Sequence, residues 1–94
     1  MRIDRLIWME AVVEKITEKH AVSTDEVEQV FRNVPKFRRG PRGKRVGEDL
    51  YYAFGQTDAG RYLFIVFIFK REHRALVLSA RDMEADERRW FQGT

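Results

Sequence analysis

The chain reads as an α+β domain, a twisted antiparallel sheet of three to four strands packed by two N-terminal helices and one C-terminal helix. Three observations predict this class. Apolar residues recur with helical spacing only in the first third of the chain and near its end. The stretch between carries runs rich in Tyr, Phe, Ile and Val, separated by turn residues. The order is helix, helix, strands, helix, which suits helices laid on one sheet rather than alternating βαβ units. Ninety-four residues suit one small domain, expected to span 1–94.

Arg5-Leu6-Ile7-Trp8 is a candidate short first strand. Met9, Val12, Val13, Ile16 and His20 then fall at offsets of 0, 3, 4, 7 and 11, one apolar face of a first helix. Ser23-Thr24-Asp25-Glu26 has the pattern in which serine hydroxyl and glutamate carboxylate satisfy free amides of an opening helical turn, with Val22 and Val27 as a hydrophobic staple. The second helix shows Val27, Val30 and Phe31 on one side. It should stop near Asn33-Val34-Pro35, because proline disfavours helical geometry in the residue before it.

From Lys36 to Gly47 the Gly-Pro-Arg-Gly cluster argues for a loop, with room for a strand at its start. Glu48 to Gly55 reads as a strand, and Thr57-Asp58-Ala59-Gly60 as the turn of a hairpin. Tyr62 to Phe69 is an apolar run of eight without alternation, read as a central strand covered on both faces. Arg71-Glu72-His73 makes the next turn, and Arg74 to Ala80 a further strand. Asp82 is the expected N-cap of a last helix, in which Met83, Glu87, Trp90 and Phe91 share a face at offsets 0, 4, 7 and 8.

Hydrophobic content of 44% with twelve aromatics supports a packed interior, and 35% charged residues a soluble surface. The absence of cysteine excludes disulfides, thiolate nucleophiles and Cys-based zinc sites. The opening Met1-Arg2-Ile3-Asp4-Arg5 lacks the apolar core of a signal peptide, and no apolar run approaches the roughly 20 residues that span a bilayer. A cytoplasmic protein without membrane contact is therefore expected. The net charge of +3 hides an asymmetry: Lys36, Arg38, Arg39, Arg42, Lys44 and Arg45 lie together with no acid among them, leaving 12 of the 18 basic residues against all 15 acidic ones.

Glu14-Lys15-Ile16-Thr17-Glu18-Lys19-His20-Ala21-Val22-Ser23 stands near the start and Gly60-Arg61 in the middle. Near the end, Ser79-Ala80-Arg81-Asp82-Met83 is followed by Glu87-Arg88-Arg89. In order and spacing these segments resemble the BrnT family of small bacterial toxins, from Ile7-Trp8 to about Phe91. The resemblance implies a RelE-like fold, a ribonuclease that cleaves RNA without a metal or other cofactor, and a DNA-binding antitoxin of the ribbon-helix-helix type as partner. The basic run departs from the family's usual pattern, which is more acidic there.

Arg81 sits where the last strand hands over to the last helix, and its planar fork of donors suits a phosphate that gains charge in a transition state. Its structural alternative is an ion pair with Glu87. Arg61 matches the family's Gly-Arg and is the second expected phosphate ligand, or else a solvated strand end. His20 can exchange a proton near neutral pH, and it also continues the apolar face of Val13 and Ile16. Glu87 can serve as a base for the ribose 2′-hydroxyl if burial raises its pKa, or as an ion-pair partner. Lys19 can join an anionic site or remain a surface charge. Glu48 and Asp49 echo acidic residues of the family, with structural and antitoxin-facing roles both open; His73 has no assigned role.

The basic residues from Lys36 to Arg45 have the density of a phosphate-contacting arm, with Phe37 available to stack on a base; a solvated loop is the alternative. The leading expectation is a metal-independent endoribonuclease toxin attacking through the 2′-hydroxyl. A non-catalytic module that holds RNA or a protein on the toxin fold is the second. A self-associating protein that forms a homodimer through its aromatic sheet face is the third.

Overall fold

Two short edge strands join the three long ones in a single sheet. The computed structural model describes residues 1–42 and 48–93; Lys44 and Arg45 therefore lie outside the described residues. In chain order the elements are β1 (Arg5–Ile7), α1 (Glu10–His20), α2 (Thr24–Arg32), β2 (Lys36–Arg39), β3 (Leu50–Gln56), β4 (Tyr62–Lys70), β5 (Arg74–Asp82) and α3 (Ala85–Gly93). The sheet runs β1-β5-β4-β3-β2, five strands rather than three or four. It is mixed rather than antiparallel, because β1 lies parallel to β5 while every other pair is antiparallel. The short strands anticipated at Arg5–Trp8 and at the start of the Lys36 segment are both present, as the three residues of β1 and the four of β2 on the two edges of the sheet.

Helices α1 and α2 cover one face. Val12 and Ile16 of α1 and Val27 and Val30 of α2 form one buried cluster with Ala53, Leu63, Ile65, Phe67, Ala75, Val77 and Ala80 of the sheet. Fully burying a side chain such as Phe67 or Leu63 contributes about 1.5–3 kcal/mol. Along β4 the burial alternates: Leu63, Ile65 and Phe67 are buried, while Phe64, Val66 and Ile68 between them are partly exposed. The expectation that this strand is covered on both faces is corrected accordingly. Its apolar residues are continuous, but α3 reaches over only part of the second face, where the Trp90 ring packs at 4.7 Å against Phe54, tilted by 57°.

Local chemistry sets the helix ends. The Ser23 hydroxyl accepts from the Glu26 amide at 3.1 Å, and the Ser23 amide donates to the Glu26 carboxylate at 3.0 Å, closing the expected capping box over the buried Val22 and Val27. Gly55 lets α2 approach the sheet: a Cβ there would stand 2.9 Å from Val30 Cγ1 and 3.2 Å from Pro35. Met9, expected on the buried face of α1, precedes the helix in an extended conformation and is exposed. Asp82, expected as N-cap of α3, is instead the last residue of β5, and its carboxylate is taken by Arg61. The opening of α3 is served by Glu87, which accepts from the Glu84 amide at 2.8 Å. Among the described residues no helix is long and apolar enough to cross a membrane.

Candidate nucleic-acid interface

A break in strand alternation decides where Arg81 points. Val77 pairs with Phe67, but Ser79 pairs with Val66, so Leu78 is an extra residue in β5. In an unbroken strand Arg81 would follow Ala75 and Val77 onto the helix-covered face. The bulge reverses the alternation, so Ala80 is buried and Arg81, opposite Phe64, lies on the other face. Lys15 of α1 donates to the Leu78 carbonyl at 2.8 Å and satisfies a group that the bulge takes out of the ladder.

On that open face the Arg81 guanidinium lies 4.4 Å from the Phe64 ring centre and is held end-on by Glu87, with bonds of 2.8 and 2.9 Å. One of the same nitrogens also donates to the Asp82 carbonyl at 3.0 Å. Arg81 retains about 30% of its side-chain exposure, and its Nε–H has no hydrogen-bond partner among the described residues. The bond to Glu87 raises the Arg81 pKa above its ordinary value, and the bond from Arg81 lowers that of Glu87 against its burial. Glu87 is therefore a committed carboxylate at neutral pH, the reverse of the raised pKa that a general base here would need.

Beside Arg81 the sheet carries an aromatic floor. Cross-strand register places Lys36, Phe54, Phe64 and Arg81 in one row and Arg38, Tyr52, Val66 and Ser79 in the next. Phe64 lies 5.1 Å from Phe54 and 5.2 Å from Tyr52. Arg38 stands 5.1 Å over Trp90 of α3. Arg38, Tyr52, Phe54, Phe64 and Trp90, with Asp86 and Glu87 on the helical wall, enclose a cleft of about 390 Å³.

The other expected site residues are distributed elsewhere. Arg61 lies on the helix-covered side and does not converge with Arg81. Its guanidinium donates to Asp82 (2.7 and 3.1 Å), to Glu26 (3.2 Å), and to the carbonyls of His20 (3.0 Å) and Ala21 (2.7 Å). It thereby caps the end of α1 and ties it to the start of α2 and the end of β5. His20 ends α1 half-buried in this cluster, and Lys19 beside it is exposed. Asp82 is held below the usual carboxylate range first by Arg61 and to a smaller extent by His20.

The basic segment is split by the strand it forms. Lys36 donates to the Phe91 carbonyl at 2.6 Å, holding the last turn of α3, and Arg38 shares its face. Phe37 is not available to stack on a base, because strand alternation sends it to the opposite side, against Phe31 (6.3 Å) and Phe67 (5.9 Å). Arg39 pairs with Asp49 at 2.6 Å, and Arg42 is exposed. Glu48 is half-buried. Among the described residues no group of three or more His, Cys, Asp or Glu is placed to hold a metal ion.

Tyr52, Phe54, Phe64 and Trp90 were not foreseen as parts of this surface, nor was Lys15 of α1 as the support of the bulge from the opposite side. The apolar spacing of Ala75, Val77 and Ala80, two and then three residues, was the one available sign that β5 changes face.

Residues 8–87 match the family described as the ribonuclease toxin BrnT of type II toxin–antitoxin systems. Among solved structures, the chain is similar to the 1.1 Å crystal structure of the Brucella abortus ribonuclease toxin BrnT, with a TM-score of 0.62. The two are 17% identical over 85% of this chain and 96% of that one, a likeness that shows the fold. No curated protein matches the chain at comparable significance.

Proposed function

We propose, given that the chain belongs to the BrnT family of ribonuclease toxins of type II toxin–antitoxin systems, that it cleaves RNA on the open sheet face, with Arg81 as the phosphate contact. The observation that carries this is the placement of Arg81: turned to the open face by the bulge, oriented by Glu87, and set beside an aromatic floor. In the proposed reaction the ribose 2′-hydroxyl attacks the adjacent phosphorus and loses its proton. The bond to the 5′-oxygen breaks, that oxygen takes up a proton, and a 2′,3′-cyclic phosphate remains. Arg81 stabilises charge on the non-bridging oxygens, a contribution that a fixed cation supplies without a metal. DNA lacks the nucleophile.

Glu87 acts as a positioning residue, and Arg61 with His20 as a clamp between the helices and the sheet. Arg42 and the rest of the basic segment draw RNA toward the face in the cytoplasm. The antitoxin partner is proposed to be a ribbon-helix-helix protein that covers this same face. The second reading is a module that holds RNA without cutting it. It is favoured by one observation: the end-on fork of Arg81 is already occupied by Glu87.

The test is total RNA at low salt in EDTA, with wild type and Arg81→Ala compared on a denaturing gel. Cleavage by the wild type, reduced about 100-fold or more in the variant, is expected. Intact RNA in both lanes, with binding lost in Arg81→Ala, would transfer the assignment to the binding module.

A further inference from the structure

We infer that the cleft beneath α3 is a subsite for one unpaired guanine of the RNA, with Arg38 and Asp86 reading its two edges. The inference rests on the proposal that Arg81 contacts the phosphate. Arg38 on β2 and Arg81 on β5 are three strand spacings apart, roughly 14 Å between backbones, with Tyr52, Phe54 and Phe64 on the strands between them. A nucleotide with its phosphate at Arg81 would lay its base across that floor, against the wall formed by Trp90. Single-stranded RNA is recognised in this manner, by bases splayed onto aromatic rings and arginine planes.

Hydrogen-bonding chemistry selects the base. Arg38 is exposed, is held over Trp90, and takes neither a carboxylate nor a hydrogen-bond partner among the described residues, so its donors are unspent. Asp86, on the same cleft, supplies only acceptors. Guanine matches both: O6 and N7 accept from an arginine fork along one edge, and N1–H and the N2 amine donate along the other. Adenine presents an amine donor beside N7, uracil lacks a second adjacent acceptor, and cytosine carries its adjacent acceptors N3 and O2 on the same edge as its single amine, so only guanine offers a pair of acceptors on one edge and a pair of donors on another.

The experiment uses Trp90 fluorescence in a Trp8→Phe background, titrated with the 3′-monophosphates of guanosine, adenosine, cytidine and uridine. Guanosine 3′-monophosphate should bind about tenfold or more tightly than the others. Arg38→Ala and Asp86→Asn should each abolish that preference while their melting curves still show a folded protein. Equal binding of all four nucleotides, or a guanosine preference that survives in both variants, overturns the subsite and leaves the phosphate contact standing. Binding of none, with RNA intact in the cleavage assay, overturns both.

Discussion

Two arginines of one chain are held by carboxylates in different ways. Arg61 spends donors from all three guanidinium nitrogens on two carboxylates and two carbonyls, so it has little left for a ligand. Lysine cannot reproduce that fork, and Arg61→Lys should lower stability by about 2 kcal/mol, read as a shift in urea midpoint. An unchanged midpoint would remove the clamp role. Arg81 keeps Nε–H unpartnered, and its bond with Glu87 fixes its direction. Arg81 holds the Glu87 carboxyl below its ordinary value, so the stability from this pair is fully present above an unfolded pKa of about 4.3. It is lost as pH falls through the lower folded value. The stability gap between wild type and Glu87→Gln should accordingly be largest at neutral pH and close as the pH falls below the unfolded value and through the lower folded one. Urea titrations at a series of pH values read this, and a gap independent of pH would mean that charge is not what Glu87 contributes.

Strand β5 shows how one residue changes what a whole element presents. Removing Leu78 leaves Val77 and Ser79 consecutive in an unbroken ladder that keeps Arg81 opposite Phe64 on the open face, so cleavage should survive in a protein that still melts cooperatively. Loss of cleavage with a cooperative melt would show that the bulge does more than set the face on which Arg81 lies. Lys15→Met strips the bulge carbonyl of its donor and should cost about 1–2 kcal/mol in thermal or urea unfolding. The same contrast between local and long-range information explains what was legible beforehand. The capping box, the staple and the stop before Pro35 are set by neighbours within five residues, and each is where the sequence pattern places it. The Asp82 cap failed because Arg61, 21 residues away, competes for the carboxylate. Phe37 failed because a strand sends neighbours to opposite faces, and β2 is hard to recognise in a segment dominated by arginine and lysine. The family signatures singled out Arg81, Arg61 and Glu87, yet their pairing into separate clusters on two faces depends on the sheet register, which no local pattern discloses.

At the scale of the molecule, the helix-covered face is occupied by core and the other is only half-covered, so a long ligand has one broad apolar surface of the sheet to cross. Lys36 and Arg38 of the edge strand β2 lie on that face, and outside the basic run from Lys36 to Arg45 the chain has more acids than bases. Its field should guide RNA to the face and decay within about 10 Å at 0.1 M salt. Binding to a single-stranded RNA should then weaken linearly in log–log form as salt rises, with a slope of roughly 0.7 for each phosphate neutralised. The two proposed roles on the face separate in this measurement. Arg81→Ala and Arg42→Ala each remove a phosphate contact and should each reduce the slope by about 0.7. Arg38→Ala removes a base contact, so it should weaken binding to a guanine-containing RNA at every salt concentration and leave the slope where it was. A slope that falls in Arg38→Ala as it does in Arg81→Ala would make Arg38 another phosphate contact, and the cleft a place for the backbone rather than for a base.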